Sequence, residues 1–205
     1  MKGIEKIRSE HQDVGSFARA YADYLGALLG ALNPEDIRAV CDALESARTR
    51  NATVFVVGNG GSASTSAHIG VDVCGAGFKA GSKRPLRVHP LADHVANMTA
   101  FANDFGYDQV FARQLRALWR EGDVLLVLSA SGNSPNIVEA ARWVRERGGD
   151  VLGLLGFDGG KVKELCQAAV VVQTPKGDYG PVEDVHHILN HIFTLWLHLP
   201  YSKPR

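Results

Sequence analysis

Two short stretches of the chain combine the residue types that bind a phosphate group. Gly58 to Ser62 read GNGGS after the apolar run Val54 to Val57, and Ser129 to Ser134 read SASGNS after Val124 to Leu128. Glycine lets the backbone approach a ligand closely, while hydroxyls and the free N–H groups at a helix start donate to an anion. Helix capping is the alternative role for each serine, and it is the better account of Ser134 taken alone. Two such loops in one chain favour a shared phosphate pocket.

Side chains that transfer protons or bind metals lie at helical spacing behind the first loop and near the C-terminus. His68 and Asp72 are four residues apart, so they share one face of the helix that begins after GNGG. The last helix is predicted from Pro181 to Leu197. A helical wheel gives it a polar side with Glu183, His186, His187, Asn190 and His191, and an apolar side with Val185, Ile188, Leu189, Ile192 and Trp196. A solvated stripe is the alternative, but three histidines on one face favour a functional site.

The glycine loop does not indicate a nucleotide cofactor. Gly58 to Ala63 formally fits G-x-G-x-x-A, but that pattern requires an acidic residue about 20 positions later to bind a ribose, and none occurs before Asp93. No G-K-[ST] follows the glycines, so the loop is not a nucleotide P-loop either. A monophosphate held by hydroxyls and helix N-termini is the better interpretation.

Composition excludes several classes of function. The 205 residues include 22 Lys and Arg and 22 Asp and Glu, so no overall charge points to nucleic acid or to a membrane surface. Three widely separated cysteines argue against a disulfide framework or a zinc ribbon. The polar N-terminus and the lack of an apolar run of about 20 residues predict a cytoplasmic protein.

Strands that alternate with helices predict an α/β fold with a parallel sheet covered on both faces. Two helices are expected before the first strand: one within Ile4 to Leu32, and one that begins at Asn33-Pro34. Gly75 to Pro85 reads GAGFKAGSKRP and predicts a long loop, for which a solvated connection is favoured over a substrate lid.

The ordered motifs GNGGS, HxxxD, NDFG, SASGNSPN and EDVHHxxxH resemble the sugar isomerase (SIS) family, and within it the phosphoheptose isomerases. The likeness covers nearly the whole chain. It implies one SIS domain over residues 1–205, a three-layer sandwich with a five-stranded parallel sheet: a helical pair in 1–50 used in packing or oligomerisation, and an α/β core in 51–205. It also implies a homotetramer with active sites at subunit interfaces, a small sugar phosphate as partner, and neither nucleic acid nor membrane.

The resemblance implies roles for particular residues. The residues expected to bind the substrate and its phosphate are Asn59, Gly60, Ser62, Asp93, Ser129, Ser131, Asn133 and Ser134. One Zn²⁺ per subunit is expected on His68, Asp72, Glu183 and His191. The catalytic candidates are Asp72, Glu183 and His191.

Four residues depart from the family pattern, and they bear on the activity. Asp72 is found where the family has a Glu, Glu183 where it has a Gln, and Ala130 where it has a Thr. Gly180 is found where the family has an Asp, although Asp178 is close by in the sequence. Withdrawing a carboxylate by about 1 Å can cost ~10²-fold in rate, which Glu183 could offset.

We predict metal-assisted isomerisation of sedoheptulose 7-phosphate to D-glycero-D-manno-heptose 7-phosphate through an enediolate. The alternatives are a non-catalytic regulatory or assembly protein of the replication-initiator-binding type, or isomerisation of another phosphosugar.

Overall fold

The computed structural model describes residues 3–82 and 84–198. Three helices precede the first strand: α1 (Ile4–Ser9), α2 (Val14–Gly30) and α3 (Pro34–Thr49). The prediction of two helices was wrong because Asp13 begins a new one: its carboxylate accepts hydrogen bonds from the N–H groups of Gly15 and Ser16, which separates α1 from α2.

Strands and helices alternate through the rest of the chain. The elements are β1 (Thr53–Val57), α4 (Gly61–Lys79), β2 (Arg87–Pro90), α5 (Val95–Phe105), a short 3₁₀ helix (Tyr107–Gln109), α6 (Val110–Leu118), β3 (Val124–Ser129), α7 (Pro135–Arg145), β4 (Asp150–Gly156), α8 (Gly160–Lys163), β5 (Ala168–Val172) and α9 (Tyr179–His198). Among the described residues, no helix combines the length and the apolar character needed to cross a membrane.

The five strands form one parallel sheet in the order β2-β1-β3-β4-β5, which confirms the predicted fold class. The chain leaves β1 toward one edge to form β2 and then returns to form β3 on the other side of β1. In such doubly wound sheets the usual ligand site is the crevice at the carboxyl ends of the two strands where the strand order reverses, which here are β1 and β3. The GNGG and SASGNS loops both lie at this crevice.

Each face of the sheet is covered by its own group of helices. On one face α2, α3, α4 and α9 pack on strand residues such as Val54, Leu126 and Leu154; on the other, α6 and α7 pack on Phe55, Leu125 and their neighbours. Alternate strand residues enter opposite cores, as the two-residue period of a strand requires. Helix α4, which carries His68 and Asp72, packs along α9.

The predicted loop from Gly75 to Pro85 is shorter than expected, because α4 continues to Lys79. A Cβ at Gly77 would come within 2.9 Å of the Pro85 side chain, so the absent side chain lets the returning chain pack against the helix. Gly77 therefore serves close packing inside a helix instead of breaking it.

Candidate active site

The GNGG turn leads into helix α4 and provides no side-chain cap for its first turn. Gly60 has a positive φ of 54°, which glycine adopts without strain, and it precedes α4 with no side-chain hydrogen bond to the first turn. Ser62 is buried in that first turn, with 5 % of its surface exposed. The start of α4 thus offers backbone N–H groups and one hydroxyl to an anion.

The SASGNS loop presents its serines in two ways. The Ser129 hydroxyl accepts a hydrogen bond from the N–H of Gly132 at 3.0 Å, and the Ser131 hydroxyl accepts one from Asn133 at 3.3 Å, so both are held by the loop. Ser134 precedes α7, yet its side chain makes no capping hydrogen bond. The capping role considered for Ser134 is therefore absent, and its hydroxyl is available to a ligand.

These two loops and the start of α9 enclose one small pocket of about 110 Å³. Its polar lining comes from Asn59, Ser62, Ser129, Ser131, Ser134, Tyr179 and Glu183. No described lysine or arginine lines it. An anion here would be held by hydroxyls and by the positive ends of helices, which matches the monophosphate pocket predicted from the loops. We call it the serine pocket.

Asn59 is held by a hydrogen-bond network that was not predicted from the sequence, although two of its members, Asn59 and Asn136, lie in the GNGGS and SASGNSPN motifs. Its carboxamide pairs reciprocally with that of buried Asn136, at 2.9 Å in both directions, and the Tyr107 hydroxyl donates to its Oδ1 at 3.0 Å. Asn133 folds back: its Nδ2 donates to the Ser131 carbonyl and its Oδ1 accepts from the N–H of Lys161. Asn133 shapes the loop, and direct contact with substrate stays a prediction for it.

Glu183 lines this pocket, whereas Asp93 is not among its lining residues. The Glu183 carboxylate packs against Gly61, where an added Cβ would overlap it, and it lines the serine pocket. Burial raises the pKa of Glu183, and the negative charge of Asp184 adds to the shift. Asp93 lies on the exposed turn between β2 and α5, at the same carboxyl edge of the sheet. Its contact with the sugar stays a prediction.

Helices α4 and α9 bring three histidines and a carboxylate together. Ring centroids lie 4.4 Å apart for His68 and His187, 5.0 Å for His187 and His191, and 5.4 Å for His68 and His191. The Asp72 Oδ2 atom lies 2.9 Å from Nε2 of His68 and 3.5 Å from Nε2 of His191, and it accepts a hydrogen bond from Asn190 at 2.8 Å. We call His68, His187, His191 and Asp72 the histidine cluster.

The donor set of the histidine cluster fits a zinc ion. One ligand atom from each of the three histidines lies within 4.8 Å of the other two. Zinc–nitrogen bonds of about 2.1 Å put tetrahedral ligands about 3.4 Å apart, which small side-chain rotations would achieve. Partial burial lowers the pKa of His187, and His68 and His191 lower it further, so the neutral imidazole that binds metals is favoured.

The helical wheel of α9 was wrong for several residues. His186 is buried on the apolar side, where its Nε2 lies 3.2 Å from the Leu155 carbonyl, and burial lowers its pKa to about 4. Ile192 and Trp196 are instead exposed, at 41 % and 64 %. The sheet and α4 contact α9 on two different sides, so a single polar half of the wheel does not describe it.

Asp178 does not replace the carboxylate that the family pattern expects at Gly180. Its side chain is buried, and Oδ2 accepts hydrogen bonds from the N–H of Ile4 at 3.0 Å and from the Tyr24 hydroxyl at 3.2 Å. Burial and the nearby Asp178 carboxylate raise the pKa of Tyr24 to about 12. Asp178 thus fastens the N-terminal helices beside the start of α9.

Comparison with known proteins identifies the family. The family model described as the SIS domain matches residues 17–156. A phosphoheptose isomerase of a Nitratiruptor species is 40 % identical over 142 residues, which are 68 % of this chain and 72 % of the relative. One from a Geobacter species is 34 % identical over 181 residues, 88 % and 92 % of the two chains.

Solved structures agree with the sequence relatives. Phosphoheptose isomerase GmhA from Neisseria gonorrhoeae superposes with a TM-score of 0.76 at 26 % identity, over 94 % of this chain and 97 % of that one. A phosphoheptose isomerase from Francisella tularensis gives a TM-score of 0.77 at 25 % identity, over 96 % and 98 %. The chain therefore belongs to the SIS domain family, in its phosphoheptose isomerase-like group.

Proposed function

We propose that this chain is an aldose–ketose isomerase that converts sedoheptulose 7-phosphate to D-glycero-D-manno-heptose 7-phosphate. Relatives named phosphoheptose isomerase, 34–42 % identical over most of the chain, support this activity. The structural observation that carries it is the packing of α4 along α9, which places the serine pocket at the start of both helices and the histidine cluster further along them. The pocket suits a phosphate and the cluster suits proton transfer beside a carbonyl.

The spacing between the serine pocket and the histidine cluster agrees with a seven-carbon substrate. From Gly61 to His68 the rise of α4 is about 10 Å, since each residue adds about 1.5 Å. An extended chain advances about 1.2 Å per bond, so the eight bonds from C1 of a heptose 7-phosphate to phosphorus span about 10 Å. A phosphate in the serine pocket therefore leaves C1 and C2 near the histidine cluster.

We propose that Asp72 transfers the carbon-bound proton of the substrate. As base, Asp72 takes a proton from C1 of the ketose while O2 gains one, which gives the enediol. The proton then returns to C2 as O1 loses its own, which gives the aldose. The hydrogen bond from Asn190 and the neighbouring His68 hold the Asp72 carboxylate in place.

Glu183 and His191 complete the proposed proton chemistry. Glu183 lies one helical turn before His187 on α9, between the pocket and the cluster, and its raised pKa favours a carboxyl that donates to a sugar oxygen. His191 contacts the same oxygen of Asp72 as His68 does, so it orients that base. A zinc ion held by the histidine cluster would polarise the substrate carbonyl and stabilise the enediolate charge.

We also propose that the chain works as a homotetramer with its sites at subunit interfaces. Large apolar side chains are exposed on the two helices that carry the cluster: Val71 and Phe78 on α4, at 72 % and 66 %, and Leu195 and Trp196 on α9, at 70 % and 64 %. Apolar surface of this kind beside a site favours a second subunit. A cytoplasmic location stays a prediction.

The reaction is tested by proton exchange. Purified chain, supplied with zinc and sedoheptulose 7-phosphate in deuterated water, should incorporate deuterium at C2 of the aldose, as detected by NMR. Absence of both exchange and product, from folded protein, would contradict the proposed activity. Product formed from a different phosphosugar under the same conditions would instead identify another substrate.

A further inference from the structure

His187 is the residue of the histidine cluster that the family resemblance does not account for. The resemblance gives the last helix two ligands eight residues apart, which here are Glu183 and His191. In the structure the third imidazole beside His68 and His191 is His187, and the three offer ligand atoms within 4.8 Å of one another. Glu183 is not part of this group.

Helix geometry favours the pair of His187 and His191 over the pair of Glu183 and His191. Residues eight apart on a helix are separated by about 12 Å along its axis, so both side chains must lean toward a shared ion. Residues four apart are separated by about 6 Å and lie on the same face, which is the spacing of the two histidines in the H-E-x-x-H zinc motif. His187 and His191 have this spacing, and α4 presents His68 opposite them.

Glu183 makes contacts that take it away from the cluster. Its carboxylate packs against Gly61 at the start of α4 and lines the serine pocket beside Tyr179. These contacts hold the Glu183 side chain at the start of α4, about 10 Å along the helix axis from His68.

Asp72 is placed as a partner of the zinc-binding histidines, which commonly donate their second ring N–H to a carboxylate. Its Oδ2 accepts a hydrogen bond from Asn190 at 2.8 Å and lies 2.9 Å from Nε2 of His68. Three imidazoles with an open fourth position form a known type of catalytic zinc site, so the metal does not need this carboxylate as a ligand. The carboxylate is then left to move a proton.

We propose that zinc in this chain is held by His68, His187 and His191, with His187 in the ligand position that the family pattern gives to residue 183. This division leaves Asp72 for proton transfer and Glu183 for the sugar. The inference rests on the metal component of the proposed function, and its test does not depend on turnover.

The test compares zinc binding by the full chain and four variants. Affinity is measured by competition with a chromogenic chelator, and the number of imidazole ligands by X-ray absorption spectroscopy of the zinc-loaded protein. His187→Ala should weaken binding by more than about 100-fold, since loss of even outer-shell partners costs 10- to 100-fold. Glu183→Ala, which removes the carboxylate donor, should bind zinc as the parent chain does. His11→Ala is the matched control, because the His11 ring bonds the Ile7 carbonyl near the N-terminus and lies outside the cluster.

His187→Cys keeps the test decisive if His187→Ala folds poorly. A thiolate is a zinc ligand, so this variant loaded with Co²⁺ should bind it and add a sulfur-to-cobalt charge-transfer band that the parent chain lacks. The parent should show three imidazoles per metal.

Three results would overturn the inference: His187→Ala with parental affinity, Glu183→Ala weakened as much as His187→Ala, or a parent chain that binds no zinc. A chain that isomerises the substrate but binds no zinc would reject this inference and leave the proposed activity standing. Zinc bound as expected, without proton exchange, would reject the activity alone.

Discussion

Replacing Ser134 by Ala separates a capping serine from a ligand-binding serine. Ser134 stands directly before α7, where a serine commonly accepts a hydrogen bond from the first turn, and removing such a cap costs about 0.5–2 kcal/mol. Here the side chain makes no capping bond, and the hydroxyl lines the serine pocket. We therefore expect the free energy of unfolding to change by less than about 0.5 kcal/mol.

The same substitution should weaken substrate binding. A hydrogen bond to a charged group contributes about 1.5–3 kcal/mol, which corresponds to about 10- to 150-fold in affinity. We expect KM for sedoheptulose 7-phosphate to rise by that factor with kcat little changed, because the phosphate contact is the same in the ground state and the transition state. Initial rates and urea unfolding of the same preparation give both quantities.

Asp13→Ala is the matched control. The Asp13 carboxylate does cap its helix, accepting from Gly15 at 2.9 Å and Ser16 at 3.0 Å, and it is not among the residues that line the serine pocket. This variant should lose about 0.5–2 kcal/mol, and each kcal/mol lowers Tm by about 2–4 °C in a chain of this size, with KM unchanged. If Ser134→Ala lost stability as Asp13→Ala does and kept its KM, the reasoning about Ser134 would be refuted.

Three further substitutions test other parts of the structure. Asp72→Asn should lower the rate of proton exchange with deuterated water by about 10²–10⁴-fold while Tm stays near the parent value; unchanged exchange would remove Asp72 from the mechanism. Trp196→Glu should shift the mass measured by light scattering toward smaller assemblies, and an unchanged mass would place the interface elsewhere. Asp123→Ala should lower the free energy of unfolding by about 2–5 kcal/mol, measured in urea, with KM unchanged. The reason is that the buried Asp123 carboxylate accepts hydrogen bonds from the backbone N–H groups of Thr53 at 2.7 Å and Arg120 at 2.8 Å. A loss below about 1 kcal/mol would show that water satisfies both N–H groups.

Local signals were sufficient for the sheet and its two loops. A β-branched strand, a glycine turn and the start of a small-residue helix follow one another from Thr53, and these boundaries depend on neighbouring residues only. The end of the helix at Lys79 was not predicted, because Gly77 packs against Pro85. The loop after β3 follows the same logic. Because parallel strands present their carboxyl ends at one edge, the meeting of both loops also followed from the sequence.

The sequence did not predict the contacts that form between residues far apart in the chain. Which side of α9 faces α4 depends on how the two helices pack, so spacing alone did not separate His187 from Glu183 as the partner of His68. His186 was placed on the polar side of the helical wheel because its polarity was counted and its contact with the Leu155 carbonyl, 31 residues away, was not. The roles of Tyr107 and Asn136 were not predicted, although Asn136 ends the SASGNSPN motif, since both roles depend on meeting Asn59 across the fold.

The parallel course of α4 and α9 sets the distance between the serine pocket and the histidine cluster, and so limits the length of the substrate. Both helices start at the serine pocket and run in the same direction, so a phosphorylated sugar anchored at the pocket reaches the histidine cluster only with the right number of carbons. A six-carbon ketose phosphate is shorter by one bond, about 1.2 Å. A misplacement of about 1 Å can cost ~10²-fold in rate, so rigid helix packing alone would discriminate between sugars that differ by one carbon.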